Sequence, residues 1–216
     1  DGALDIYVAN YGETSVLRSG GSVSVRTING KQVVTGRYAN RIRIMGGEMV
    51  EVGEPDFLYI NDGGGIFTKV NWTDGNWLDE NGQPIKKEFW DLGLSVMIRD
   101  VNQDGRPDIY VCNDFQTPDR FWINQGGGKF QLIDEMALRR RSYFAMAVDF
   151  ADINRDGHDD FFVADMMSPT HLLEMTQIVV TNPFAKPIDE FIDRPIIHRN
   201  TLLVNRGDTS YMDTAN

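Results

Sequence analysis

The chain is poor in cysteine, in histidine and in basic charge, and it contains no long apolar run. Its one cysteine, Cys112, excludes an intrachain disulfide, and its place inside the run "DIYVCN" reads as a small buried hydrophobe. The three histidines, His158, His171 and His198, lie in unrelated contexts without the spacing of a zinc site. Lys and Arg number 21 against 32 Asp and Glu, giving a formal charge of −11. That balance argues against nucleic acid as a partner, because phosphate binding needs clustered basic residues. The one sustained basic run, Arg139 to Arg141, reads as a solvated turn. No apolar stretch approaches the roughly 20 residues of a membrane helix. Cations are the natural partners of such a chain, and 216 residues at 41% hydrophobic content suffice for a core in one domain.

What the chain does have is repetition. "DVNQDGRPDIYVCND" (Asp100 to Asp114) aligns with "DINRDGHDDFFVAD" (Asp152 to Asp165) at an offset of 52 residues. A third, shortened copy, "DGALDIYVANY" (Asp1 to Tyr11), superposes with Asp1 at the place of Asp104. Each copy is followed by a second element: "PDFLYINDGGGIFTKV" from Pro55, "PDRFWINQGGGKFQLI" from Pro118, and "RNTLLVNRGDTSYMDTA" from Arg199. An apolar strand, an Asn, a Gly-containing turn and a second strand make the pattern of a β-hairpin. "LGLSVMIRD" and "SYFAMAVDFAD" are the strands entering the two complete loops. Four strands in about 50 residues are the sequence signature of a propeller blade, so the expected fold is all-β.

The repeats divide the chain at about 1–99, 100–151 and 152–216. Two carry insertions. Residues 12–54 alternate polar and apolar side chains around Asn29-Gly30, a strong two-residue turn, and predict one or two added β-hairpins. Residues 167–198 predict a short helix over "THLLEMTQIV" followed by a Pro-rich arm. The segment from Trp72 to Trp90, punctuated by Gly, Asn, Asp and Pro, reads as a long surface loop.

The spacing D-x-N-x-D-G-x-x-D supplies side-chain oxygens at loop positions one, three, five and nine, with Gly at six permitting a sharp turn. Hard oxygen donors in that number select Ca²⁺, and position seven contributes only its carbonyl. Two carboxylates about 4 Å apart repel by roughly 4 kcal/mol at an effective dielectric near 20, and three converging would cost about 10. A domain of roughly 5–15 kcal/mol total stability cannot carry that cost twice, so either a cation is bound or the loops splay. An EF-hand would need a Glu at position twelve, where this chain has Val111 and Val163, and dockerin-type loops continue into helices.

On these residues the chain resembles the FG-GAP/VCBS repeats of integrin-like β-propellers. "FADINRDGHDDFFVADMM" and "NTLLVNRGDTSYMD" resemble the loop and hairpin of the bacterial ASPIC/UnbV branch most closely. The resemblance implies calcium ligation by Asp100, Asn102, Asp104, the Arg106 carbonyl and Asp108, and by Asp152, Asn154, Asp156, the His158 carbonyl and Asp160. In the shortened copy it leaves Asp1, the Ala3 carbonyl and Asp5, half a site. It further implies a typically seven-bladed ring of which these three repeats form an arc, with exposed strand edges closed by further blades of the parent chain or by a partner. Such modules are extracytoplasmic and serve protein or glycan recognition, with structural calcium. Relatives that are polysaccharide lyases or sugar dehydratases supply the alternative, an enzyme, and a plain structural module in a surface assembly is the third option.

Other signals are weaker. Arg206-Gly207-Asp208 spells an adhesive tripeptide but occupies the place of a hairpin turn, and the "DGGG" and "QGGG" stretches lack the Lys-Ser/Thr of a phosphate loop. Trp72, Trp77 and Trp90 could stack on sugar rings, with ordinary packing the favoured reading. No catalytic constellation emerges.

Overall fold

The computed structural model describes residues 2–12, 16, 23–45, 47–115, 117–166, 196–197 and 199–214. From the N-terminus, β1 (Ile6–Val8) is followed by two inserted hairpins, β2 (Ser24–Ile28) with β3 (Lys31–Thr35) and β4 (Ile42–Met45) with β5 (Glu48–Glu51). Then come β6 (Phe57–Asn61), β7 (Phe67–Val70), β8 (Trp77–Leu78), β9 (Gly93–Arg99), β10 (Asp108–Asn113), β11 (Arg120–Gly126) and β12 (Lys129–Leu132). β13 (Arg141–Ser142), β14 (Ala145–Ala151), β15 (Asp160–Asp165), β16 (Ile196–Ile197), β17 (Thr201–Asn205) and β18 (Tyr211–Asp213) complete the series. Helical structure among the described residues is limited to a 3-10 turn at Ala39–Arg41, and none of it is long or apolar enough to cross a membrane.

Three sheets form the body. The second is ordered β8-β12-β11-β10-β9 and the third β14-β15-β17-β18, each built on four antiparallel strands taken in chain order. The first, β1-β6-β7, has the same order without the leading strand. Each acidic loop therefore lies within a sheet, joining neighbouring strands: Asp108 pairs with Arg99 and Asp160 with Ala151. This nearly all-β architecture is consistent with a propeller type. In the insertion, the first hairpin turns at Asn29 and Gly30 as the sequence predicts, with φ of 52° and 76°, the mirror-image turn that matches strand twist.

Successive residues of a strand point to opposite faces, and this alternation builds the core. Tyr7 and Leu58 on one face of the first sheet meet Ile109, Val111, Trp122, Phe130 and Leu132 of the second. The opposite face of the second sheet, through Tyr110, Cys112 and Phe121, meets Val148, Phe150, Phe161, Val163, Leu203 and Tyr211 of the third. β10 is buried along its whole length because it is covered on both sides. Each large side chain so enclosed contributes about 1.5–3 kcal/mol of hydrophobic stabilisation. Cys112 is one of the buried residues, as its sequence context suggests.

Two expectations are corrected here. The segment from Trp72 to Trp90 is not a surface loop throughout: Trp77 is 1% exposed, β8 pairs in parallel with β12, and Trp77 stacks on Phe130 with centroids 5.2 Å apart. Trp72 lies 4.4 Å from Trp77, in the same core. The polar punctuation forms a real turn, in which Asn81 and Gln83 N–H groups donate to Asp79 Oδ1, but the aromatics on either side anchor it. Arg141 is likewise not part of a solvated turn; it is 2% exposed and donates to the Thr117 carbonyl, because β13 runs beneath the surface to pair with β16. The helix and arm expected over 167–198 fall, apart from β16, outside the described residues.

Candidate metal-binding loops

The two complete loops repeat one another atom for atom. In the first, Asp100 Oδ1 and Asn102 Oδ1 both accept the Asp104 N–H, at 3.1 and 3.2 Å. Gly105 N–H donates to Asp100 Oδ2 at 2.9 Å, and Arg106 N–H to Asp104 Oδ1 at 2.9 Å. In the second, Asp152 Oδ1 and Asn154 Oδ1 share the Asp156 N–H at 3.0 Å each, while Gly157 and His158 N–H donate to Asp152 and Asp156 at 2.9 Å. The side-chain amides of Asn102 and Asn154 donate across to Asp104 and Asp156. Gly105 and Gly157 take φ of 82° and 90°, the conformation for which position six needs glycine.

Position four is left-handed too, and there the residues are Gln103 (φ 61°) and Arg155 (φ 64°). No sequence signal marks it, since neither is Gly, Asn or Asp. The strain persists because the flanking carboxylates hold the turn.

Asp108 and Asp160 play a different part from the rest. Both are buried. Asp108 accepts Val101 N–H at 3.0 Å and Asn124 N–H at 2.7 Å; Asp160 accepts Ile153 N–H at 3.0 Å and Asn205 N–H at 2.9 Å. Asp5 accepts Asn61 N–H at 2.9 Å in the shortened copy. Each of these Asn side chains donates to the carbonyl just before its aspartate, Leu4, Pro107 or Asp159. The ninth-position carboxylate thus staples the loop to the hairpin of its own sheet. The Asn present in all three hairpins carried that signal in the sequence, without revealing its partner.

Burial pushes the Asp108 carboxyl up to about 6, with the two amides lowering it and the Asp104 and Asp100 charges raising it further. Asp156 is held below the usual carboxylate range, first by the His158 N–H and then by the Asn154 amide. The repulsion expected among the loop carboxylates is therefore met in part by N–H donors, a third solution besides a cation or splaying. The Arg106 guanidinium adds an ion pair to Asp104. His158 packs instead over Gly207, where the Cβ of any larger residue would stand 2.9 Å from Nε2, so the Arg206-Gly207-Asp208 turn abuts the second loop.

Tested against a calcium ion, the donors at positions one, three and five are of the right kind, hard carboxylate and amide oxygens: in each loop one carboxylate (Asp100 or Asp152) and one amide oxygen share an N–H, while the position-five carboxylate (Asp104 or Asp156) accepts the position-seven N–H instead. The ninth carboxylates are turned to the protein, and among the described residues no three His, Cys, Asp or Glu side chains form a metal-type cluster. Arg106 and His158 occupy position seven, where their N–H groups donate to Asp104 and Asp156. Ala3 and Asp5 lie beside Asn61, and Asp1 falls outside the described residues.

The loops also touch each other. Gln103 Nε2 donates to the Gly157 carbonyl, Arg99 pairs with Asp159 at 2.5 Å, and Asn205 Nδ2 reaches the Val101 carbonyl at 3.4 Å. Strand, loop, strand and hairpin recur here as one stapled unit, and residues 100–163 match the family model of that unit. They form an FG-GAP-like repeat. The FG-GAP-like repeat begins at Asp100, the first acidic position of the first loop, and ends within β15, beyond the second loop. No curated protein matches the chain.

A second repeated constellation sits at the opposite strand ends. Tyr7 O–H and Asn10 N–H donate to Asp56 at 2.9 and 2.7 Å; Tyr110 O–H and Asn113 N–H donate to Asp119 at 2.8 Å each. In the third sheet the acid and amide are exchanged: Asp165 N–H donates to Asn200 Oδ1, and the Asp165 carboxylate instead accepts Tyr143 and Phe144 N–H. Asp56 is pushed up to about 7, chiefly by burial and also by the Asp91 charge, while amide, phenol and Arg120 oppose the rise. Arg120 is committed to Asp91 at 2.7 Å, its guanidinium lying 4.0 Å over Phe89.

Proposed function

We propose that the chain is a calcium-stabilised β-propeller module for recognition, of the ASPIC/UnbV type, working outside the cytoplasm. The observation that carries this reading is the identical hydrogen-bond and φ pattern of the two loops, inside an FG-GAP-like repeat. Asp100, Asn102 and Asp104, and Asp152, Asn154 and Asp156, would hold the ions, with the Arg106 and His158 carbonyls and the ninth-position Asp108 and Asp160 completing them. Bound Ca²⁺ supplies charge neutralisation at each strand-to-strand corner. The protein's own residues set the corner: Asp108 and Asp160 fix it to the hairpin, and positions four and six bend it.

The inserted hairpins extend from the strand ends opposite the loops and are the natural contact elements for another protein or a glycan. Val25, Ile28 and Val33 are exposed there. The enzyme alternative draws no support from Trp72 and Trp77, which are in the core. Melting the protein in Ca²⁺ and in excess EGTA tests the reading, together with calorimetric titration of Ca²⁺. Two binding events and a higher Tm in Ca²⁺ are expected; an unchanged Tm with no binding heat overturns it.

A further inference from the structure

Gln103 stands at position four of the first loop, left-handed at φ 61°, and its side chain serves the other loop: Nε2 donates to the Gly157 carbonyl, 54 positions on. That carbonyl and the His158 N–H belong to one peptide unit, which is planar and rigid. The His158 N–H donates to Asp156 Oδ1 at 2.9 Å. A single peptide of the second loop is therefore gripped at its oxygen by the first loop and at its N–H by a carboxylate proposed to hold an ion.

A second path joins the two ninth-position aspartates. Asp108 Oδ2 accepts the Val101 N–H at 3.0 Å, the Val101 carbonyl accepts Asn205 Nδ2 at 3.4 Å, and the Asn205 N–H donates to Asp160 Oδ1 at 2.9 Å. Asp108 and Asp160 are thus the ends of one run of three hydrogen bonds through buried residues. The remaining tie, Arg99 to Asp159 at 2.5 and 3.3 Å, leaves the arginine half exposed and contributes least.

We infer that the two loops take up calcium cooperatively, and that Gln103 is the positioning residue through which each loop orders the other. The inference rests on the calcium reading above and adds to it a coupling between the two sites. Once the first loop is fixed, Gln103 is fixed with it, and so is the Gly157–His158 peptide that orients Asp156. The second loop then has less conformational freedom left to lose, so it binds more tightly without any change of shape. Linkage makes the effect reciprocal: occupancy of the second loop strengthens the first by the same factor. One hydrogen bond of this kind corresponds to a coupling of about fivefold in affinity.

Calorimetric titration of the whole chain with Ca²⁺ tests the inference through a cycle of Gln103→Gly and Asp156→Ala. Glycine keeps the left-handed turn and removes only the side chain. In the wild type the titration is cooperative, and Asp156→Ala, which disables the second loop, also weakens the remaining site about fivefold. In the Gln103→Gly background the same change leaves the remaining site within about twofold, the margin of additive behaviour. Amide hydrogen exchange in EGTA supplies a metal-free readout, in which Gln103→Gly speeds exchange of the His158 N–H about fivefold. Two independent sites, a coupling that survives Gln103→Gly, or His158 exchange unchanged by that variant each overturn the inference and leave the calcium reading standing. A titration without binding heat overturns the calcium reading itself, and the cooperativity with it.

Discussion

Asp160 and Asn205, 45 positions apart in sequence, close the third sheet: the aspartate Oδ1 accepts the Asn205 N–H at 2.9 Å in a buried contact. The other oxygen takes the Ile153 N–H, so the same carboxylate that the loop spacing marks as a ligand also satisfies two backbone donors.

Replacing Asp160 by Ala strands those two donors. At about 1–3 kcal/mol for each unsatisfied buried group, Asp160→Ala lowers stability by roughly 2–6 kcal/mol even in EGTA. Urea denaturation in chelator measures this without any contribution from metal.

Asp156→Ala behaves in the opposite way. Its carboxylate is exposed and serves only the loop, so in EGTA the variant unfolds at nearly the same urea concentration as the parent. In saturating Ca²⁺ it falls behind by the lost binding energy. Paired denaturation curves with and without Ca²⁺ separate the two aspartates.

Asp56 sets a pH dependence. Its folded carboxyl titrates at about 7, above the unfolded value near 3.8, so the folded state keeps a proton that the unfolded chain has released. Stability from this group is therefore full below about pH 4 and is lost as pH rises to about 7. Asp56→Asn, which cannot ionise, gains on the wild type over that interval by roughly 3–4 kcal/mol. Thermal melts in EGTA from pH 4 to 8 read the difference, which stays constant with pH if burial does not hold the proton.

Trp77→Ala removes the aromatic that joins β8 to β12. Core truncations of this size cost about 3–5 kcal/mol, and the loss appears in urea denaturation. A sugar-stacking surface tryptophan would instead leave stability nearly untouched.

Much of this was legible in the chain because repetition supplies its own comparison. Asp100 over Asp152 and Asn124 over Asn205 mark loop and hairpin without a structure, and Asn29-Gly30 marks a turn by local sterics alone. What escaped depends on contacts distant in sequence. Nothing near Trp77 announces Phe130, nothing near Arg141 announces Thr117, and the staple made by Asp108 is visible only once Asn124 stands beside it. Gln103 escaped for a different reason, being held left-handed by its neighbours against its own preference.

The ties from Gln103 to Gly157, from Arg99 to Asp159 and from Asn205 to Val101 run along one rim of the molecule, while the chain after β1 and after β15 departs from the other. The first rim is braced like a hoop and tolerates little added length. The second is where sequence can be lengthened without slackening the frame, so variation in length is confined to one side by the way the other is fastened.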